Sequence, residues 1–224
     1  MNAMRGRQIL LLAMIACCLV AASGCASGTP GPTSEGAPEA HLAQGREYAD
    51  QGKLQEAIEE FQTAVRLDPD SAEAHFRLGN IYFQQGQLDE ASQQFQKTLD
   101  LEPNNVDARS NLGAVFYERG QFVQAEEEFG KAVSLKPDDA DIHYNLGATY
   151  VQQFKLDAAI AEFREAIRLN PDLGRSYFGL GNAYKLQGRM QEAVEALEQF
   201  LTFGDSDAQL RPIAESLLAE LKTP

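Results

Sequence analysis

A glycine recurs every 34 residues along this 224-residue chain without a slip in spacing, at Gly45, Gly79, Gly113, Gly147 and Gly181. Other residue types keep the same period, because an aromatic residue follows each glycine by three positions and an alanine follows it by twelve. A fixed period of this length is typical of stacked repeats, in which each unit covers the apolar face of its neighbour. The period therefore predicts a row of similar units, not a globule with one central core.

The apolar spacing inside one unit predicts its local structure. Residues 72–105 carry apolar side chains at intervals of three and four in two runs, one on each side of Gly86, and the second run stops at Pro103. This pattern predicts two helices, with Gly86 ending the first one in the left-handed region. We therefore expect an all-α solenoid of five helix hairpins. Its units are 38–71, 72–105, 106–139, 140–173 and 174–207.

The residues at fixed places in the unit resemble a known repeat family. In the second unit Leu78 and Gly79 are followed by Tyr82, then by Ala91 and Phe95, and the unit closes with a proline. This order at this period resembles the tetratricopeptide repeat (TPR), and the resemblance covers about three quarters of the chain. The resemblance implies helical hairpins that stack around a concave surface and bind a protein or peptide there.

One turn departs from the pattern. Phe154 stands where Gly52, Gly86, Gly120 and Gly188 end the first helix of the other units. A phenylalanine at positive φ is strained, so we expect the turn at Phe154 to be built differently.

The segment 208–222 is expected to form a capping helix. Without a cover, the last hairpin would present its apolar face to water. The segment carries an apolar stripe at helical spacing, formed by Leu210, Ile213, Ala214, Leu217, Leu218 and Leu221.

The N-terminal segment has the features of an export signal. Arg5 and Arg7 precede a 14-residue apolar run, whereas a membrane-spanning helix needs about 20 residues and a secretory signal roughly 7–15. The run ends in small residues before Cys25, which resembles the bacterial lipobox. The resemblance predicts a signal peptide over 1–24 and a diacylglyceryl group on Cys25. The alternatives are an uncleaved signal anchor and an ordinary signal peptide with a coincidental cysteine.

Residues 25–37 are rich in glycine, proline, serine and threonine, which predicts a flexible tether after the lipidated cysteine. Ala26, rather than an aspartate, follows the lipid site, which resembles an outer-membrane address. The chain is thus similar to bacterial TPR lipoproteins. We expect it to be anchored in the cell envelope, facing the periplasm.

Charge and residue types exclude several function classes. The net charge of −14 disfavours nucleic acid as a partner, because phosphates would be repelled. His41, His75 and His143 occupy one repeat position, so they lie on separate hairpins and cannot share a metal ion. We find no catalytic constellation, phosphate loop or metal-ligand spacing. The expectation is a protein without enzymatic activity, cofactor, metal or small-molecule substrate.

The first helix of each unit is expected to line the concave side of the array. Aromatic side chains there can receive apolar groups, and amides can hydrogen-bond an extended backbone. Asn111 and Asn145 share one repeat position and resemble two rungs of the asparagine ladder found in some TPR proteins. The alternative is that these side chains only pack or solvate the inner face. The candidate groove residues are Phe76, Arg77, Asn80, Phe83, Asn111, Tyr117, Tyr144, Asn145, Phe178 and Asn182.

Two functional hypotheses follow from these features. The first is a lipid-anchored interaction scaffold or assembly factor of the envelope, similar to the TPR lipoproteins that help to assemble type IV pilus secretins. The alternative is a targeting or adaptor subunit for an envelope protease or cell-wall enzyme, held by an uncleaved signal anchor. Both have a protein or peptide partner, and repeat arrays can also pair through their ends as homo-oligomers.

Overall fold

The structure is a computed structural model that describes residues 36–203 and 209–222. The expected signal peptide (1–24) and the lipid site Cys25 lie outside these ranges. Within them the chain forms eleven α-helices and no strand. The helices are α1 (Pro38–Asp50), α2 (Leu54–Leu67), α3 (Ala72–Gln84), α4 (Leu88–Leu101), α5 (Val106–Glu118), α6 (Phe122–Leu135), α7 (Ala140–Gln152), α8 (Leu156–Leu169), α9 (Gly174–Leu186), α10 (Met190–Phe203) and α11 (Arg211–Lys222).

The helices stack as a linear array of hairpins. Each odd-numbered helix from α1 to α9 packs most extensively on the helix that follows it, and each hairpin then packs on the next one. The first helices of successive hairpins also touch, as α3 does with α5, α5 with α7 and α7 with α9. These first helices therefore form one continuous wall. The predicted all-α TPR solenoid with a capping helix is confirmed.

Short polar side chains start several of the first helices. The Ser71 side chain accepts a hydrogen bond from the backbone N–H of Ala74, and Asn105 accepts one from Ala108. These bonds satisfy backbone donors that have no partner within the helix. At the other end, Gly52, Gly86, Gly120 and Gly188 adopt φ angles between 70° and 80°.

The turn at Phe154 has the same construction as the glycine turns. Phe154 adopts φ 56°, and the N–H of Lys155 donates to the Tyr150 carbonyl oxygen at 3.0 Å. The equivalent bond in the first unit, from Lys53 to Tyr48, measures 2.9 Å. The expectation of a differently built turn is therefore wrong, because the hairpin's backbone hydrogen bonds impose the left-handed conformation on whichever residue stands there.

A glycine in the first helix lies directly against a phenylalanine of the second helix. A Cβ atom on Gly79 would lie 2.8 Å from Cε1 of Phe95, whose ring is fully buried. Such a distance is too short for two carbon atoms, so only glycine permits this helix spacing. The same contact recurs between Gly45 and Phe61, Gly113 and Phe129, and Gly147 and Phe163.

A second repeated contact fixes each unit to the turn before it. The two ring nitrogens of His75 lie 2.7 Å from Oε1 of Gln94 and 3.1 Å from the carbonyl oxygen of Pro69. The side chain thereby links both helices of its own hairpin to the preceding turn. Equivalent bridges join Arg109 to Glu128 and Pro103, and His143 to Glu162 and Pro137.

Helix α11 closes the C-terminal end. Ala214 and Leu218 are buried in one apolar cluster with Leu197 and Phe200 of α10. Lys222 Nζ also lies 2.6 Å from a carboxylate oxygen of Glu198. The apolar face of the last hairpin is thus covered by α11, as repeat arrays require.

Adding a methyl group at Gly79 tests the close helix contact. We expect Gly79→Ala to lower the free energy of unfolding by about 1–3 kcal/mol, because the buried Phe95 ring would have to move. Gly130→Ala is the matched control, since a Cβ at Gly130 in α6 would meet nothing within 4 Å. The control should raise stability by about 0.5–1 kcal/mol. Urea titration followed by circular dichroism measures both, and a Gly79→Ala protein as stable as the parent would contradict the contact.

Replacing Phe154 tests the strained turn. Phe154→Gly removes left-handed strain of about 1–2 kcal/mol and adds a glycine entropy cost of about 0.5–1 kcal/mol. The 77% exposed ring contributes little packing to offset this. We expect a net gain of up to about 1 kcal/mol, seen as a rise of about 2–4 °C in Tm. The reverse change in an equivalent turn, Gly188→Phe, should lower Tm, and a fall in Tm for Phe154→Gly would argue against strain.

Candidate functional site

The inner wall consists of the helix faces that packing leaves free. In α7, His143, Leu146 and Gly147 are buried, whereas Tyr144 and Asn145 are half-buried on the neighbouring face. The 34-residue period repeats this division in the other first helices. The wall therefore carries side chains that helix packing leaves partly exposed.

The centre of the wall contains a cavity of 160 Å³ between α5 and α7. Three predicted groove residues meet there, namely Tyr117, Tyr144 and Asn145. Sequence reasoning missed Ala114 and Ala148, whose small side chains open the space. The sequence contained a signal for them, because the repeat position of Ala114 and Ala148 is occupied by the larger asparagine in α3 (Asn80) and α9 (Asn182). The cavity lining is Ala114, Tyr117, Glu118, Phe129, Tyr144, Asn145 and Ala148.

Polar groups surround this cavity. The Asn145 side-chain amide makes no hydrogen bond to any residue in 36–203 or 209–222. The Tyr117 hydroxyl accepts one from Nε2 of Gln152 at 3.2 Å. The Arg175 guanidinium lies 4.5 Å from the centre of the Tyr144 ring and also pairs with Asp141. The cavity thus combines an apolar floor with an amide that can bond to a ligand.

A second cavity of 240 Å³ lies between α1 and α3. Two predicted residues, Arg77 and Asn80, line it together with Arg46. The Glu73 carboxylate lies 3.6 Å from Arg46 and 3.4 Å from Arg77, which offsets the positive charge of these side chains. This end of the wall is polar and carries paired charges.

Asn111 differs from Asn145 although both share one repeat position. The Nδ2 atom of Asn111 donates to Oδ1 of Asn80 at 2.7 Å. One amide donor of Asn111 is therefore used within the wall, while Asn145 keeps its amide available to a ligand. The two asparagines do not form equivalent rungs in this structure.

Three predicted aromatic residues contribute mainly to packing. The Phe76 ring centre lies 6.0 Å from that of Phe95, and the Phe178 ring centre lies 5.6 Å from that of Phe200. Phe83 packs against the same apolar cluster as Phe76. The remaining predicted residue, Asn182, is half-buried on α9 and lines neither cavity. Five of the ten predicted residues therefore line the two cavities, three aromatic residues pack mainly within their own hairpins, Asn111 bonds to Asn80, and Asn182 takes part in neither cavity.

The described part of the chain offers no metal centre. No group of three or more His, Cys, Asp or Glu side chains there is placed to hold a metal ion. None of the described helices has the length and apolar character needed to cross a membrane.

Stacked hairpins with a free concave wall define a helical repeat protein of the protein-interaction class. The chain belongs to the tetratricopeptide repeat family. A family model described as TPR repeat matches residues 45–86, 79–120, 115–153 and 149–188, and a second, described as Tetratricopeptide repeat, matches residues 174–203. The predicted family is confirmed, and the protein is a TPR scaffold for protein–protein interaction. No curated protein sequence matches the chain.

Solved structures share the fold at low sequence identity. MamA of Desulfovibrio magneticus RS-1, from residue 41 to its end, is 22% identical with a TM-score of 0.72, over 77% of this chain and 97% of that one. YrrB, described as a TPR protein with an unusual peptide-binding site, is 22% identical with a TM-score of 0.69, over 82% and 94%. PilF of Pseudomonas aeruginosa is 20% identical with a TM-score of 0.66, over 82% and 88%. At these identities the likeness concerns the fold.

Proposed function

We propose that the concave wall binds an extended segment of a partner protein, with one apolar side chain held in the 160 Å³ cavity. The observation that carries this proposal is the Asn145 amide beside the cavity, which has no hydrogen-bond partner among the described residues. A cavity of about 150 Å³ is large enough for benzene, so this one suits a single aliphatic or aromatic side chain. The fold shared with YrrB, described as having a peptide-binding site, supports a peptide ligand.

The polar groups suit a backbone in extended conformation. A side-chain amide offers both a donor and an acceptor, so Asn145 can bond to the N–H and C=O groups of a peptide. Aromatic rings at the cavity then supply apolar contact area with little loss of side-chain freedom. The Arg175 guanidinium lies 4.5 Å from the centre of the Tyr144 ring, and Asp141 offsets its charge.

We further propose that the protein is an envelope assembly factor, of the kind that serves pilus or secretion machinery. The lipobox-like segment that ends at Cys25 supports a lipid anchor, and Ala26 supports an outer-membrane location facing the periplasm. Stable anchoring requires two acyl chains or more, since a single chain binds only marginally. The tether after Cys25 then lets the array reach partners near the membrane.

Filling the cavity tests the binding site. Ala148→Leu places a larger side chain in the cavity and should weaken binding at least about tenfold, because the ligand's apolar side chain loses its place. Asn145→Ala should weaken binding about five- to tenfold through lost hydrogen bonds. Affinity can be measured by calorimetry with a peptide selected from a displayed library on residues 25–224.

Asn182→Ala is the matched control, since Asn182 is a first-helix asparagine outside both cavities. It should leave affinity within about twofold, and all variants should retain the parent melting temperature. Equal affinity of the parent and the Ala148→Leu variant would place the peptide elsewhere.

Removing the lipid site tests the anchor. We expect Cys25→Ser to move the protein from the membrane fraction to the soluble fraction, because no thiol remains to accept the diacylglyceryl group. Intact mass of the membrane-extracted parent should correspond to a chain that starts at Cys25 and carries acyl groups. A retained Met1, with the Cys25→Ser variant still in membranes, would instead favour the adaptor subunit held by an uncleaved signal anchor.

A further inference from the structure

Neighbouring hairpins are joined along their turn edge by a repeated polar contact. The side chain of Arg119 pairs with Asp89, and Nε2 of Gln187 donates to Oδ1 of Asp157 at 2.6 Å. Each of these aspartates is the second residue of the second helix of its hairpin. The edge of the array is therefore polar at these two junctions.

The junction between the third and fourth hairpins lacks this aspartate. Val123 occupies the place of the aspartates and is 70% exposed. Gln153, which corresponds to Gln187, donates instead to the Phe122 carbonyl oxygen at 3.1 Å and to Glu126 at 2.8 Å. An apolar side chain thus replaces a charged one without being buried.

Phe154 stands at the same junction and is 77% exposed. Its two neighbours in sequence are both fastened to the first turns of α6, Gln153 by the bonds above and Lys155 through an ion pair of 2.5 Å with Glu126. Phe154 and Val123 therefore lie on the same edge of the array. We call this pair the edge knob.

We propose that the edge knob is a second docking site, which inserts into an apolar pocket with a basic rim on a partner protein. It is separate from the groove, because neither Phe154 nor Val123 lines either cavity of the inner wall. The scaffold can then hold two proteins at once, one on the wall and one on the edge.

The strained backbone of Phe154, whose ring is not buried in the fold, supports the role of the edge knob as a docking site. Phe154 keeps a left-handed backbone that glycine holds in four equivalent turns. Residues in such conformations cluster at functional sites, where the surrounding structure maintains them. Phenylalanine is also enriched at the cores of protein interfaces relative to the rest of the surface.

The backbone of the edge knob is held in place before any partner arrives. Partial burial favours a raised pKa for Glu126, but the hydrogen bonds from Lys155 and Gln153 outweigh it, so the pKa lies below its ordinary value. The carboxylate therefore stays ionised at neutral pH and retains both partners. A preorganised anchor loses less conformational entropy on binding.

Charge and size identify the partner's chemistry. Lys155 is neutralised by Glu126, and the exposed Asp157 accepts a hydrogen bond from the neutral Gln187 amide and attracts the Arg189 cation. The net charge of −14 disfavours a second copy of the chain and an anionic lipid surface, and it favours a partner whose pocket has a basic rim. Two side chains also fall far short of the roughly 800 Å² per partner of a stable interface, so the surface of this chain around the edge knob must be buried as well.

Photocrosslinking followed by affinity measurement tests the proposal. The full chain carries p-benzoylphenylalanine in place of Phe154 in its native cells, and in place of Gly188, the equivalent turn residue, as the control. The protein captured from position 154 is identified and purified. Its affinity is then measured for the parent chain and for the Phe154→Gly, Val123→Asp and Ala148→Leu variants.

We expect capture from position 154 and not from position 188. Phe154→Gly introduces the residue of the four equivalent turns and Val123→Asp the residue of two equivalent positions, and each should weaken binding at least about tenfold with the fold intact. Ala148→Leu should change this affinity less than about twofold. Affinity, not capture alone, decides the outcome.

Four results would overturn the proposal. They are equal capture from positions 154 and 188, undiminished affinity for Phe154→Gly, capture of a second copy of the chain, and Phe154-dependent flotation with vesicles of phosphatidylethanolamine and phosphatidylglycerol. Ala148→Leu changes only the groove. A negative result for the edge knob therefore does not contradict the proposed function of the groove, which the peptide affinities test separately.

Discussion

The spacing of the two helices in the first four hairpins depends on a glycine that lies against a phenylalanine ring sixteen residues later in the chain, and in the fifth hairpin Gly181 lies against Leu197 instead. A side chain on that glycine would meet the ring at 2.6–3.0 Å in the first four units. The ring is fully buried or nearly so, and it fills the space that the glycine opens. Since the same pair recurs at the same spacing, the first four hairpins have nearly the same helix spacing. Identical units that stack on one another necessarily form a regular array with a continuous wall.

This packing explains where function can reside. Buried positions such as Gly79 and Phe95 are fixed by the contact, so they differ little between units. Positions that face the wall or the turn edge are free to differ. Ala148 opens the central cavity where another unit has asparagine, and Phe154 projects from an edge where the other units have glycine. The residues that differ between units therefore form the binding surfaces, and the repeated packing fixes where these residues lie.

Much of the fold could be predicted from the sequence, because periodic residues report local structure and packing together. The groove was predictable only in part. The side chain of Asn111 turns to Asn80, a choice that depends on the neighbouring hairpin and that no pattern along the chain contains. Phe76 and Phe178 have the right repeat position, but their rings pack on Phe95 and Phe200 of their own hairpins. The prediction for the turn at Phe154 was wrong because phenylalanine intrinsically disfavours the left-handed conformation, whereas the hairpin's backbone hydrogen bonds impose it.

The glycine–phenylalanine contact can be observed directly by nuclear Overhauser spectroscopy on the isotope-labelled protein. The structure predicts cross-peaks between the Hα protons of Gly45, Gly79, Gly113 and Gly147 and the ring protons of Phe61, Phe95, Phe129 and Phe163, respectively. All four should have similar intensity, because the four contacts are alike. A helical protein that lacks these cross-peaks would contradict the packing on which the wall, the cavity and the edge all depend.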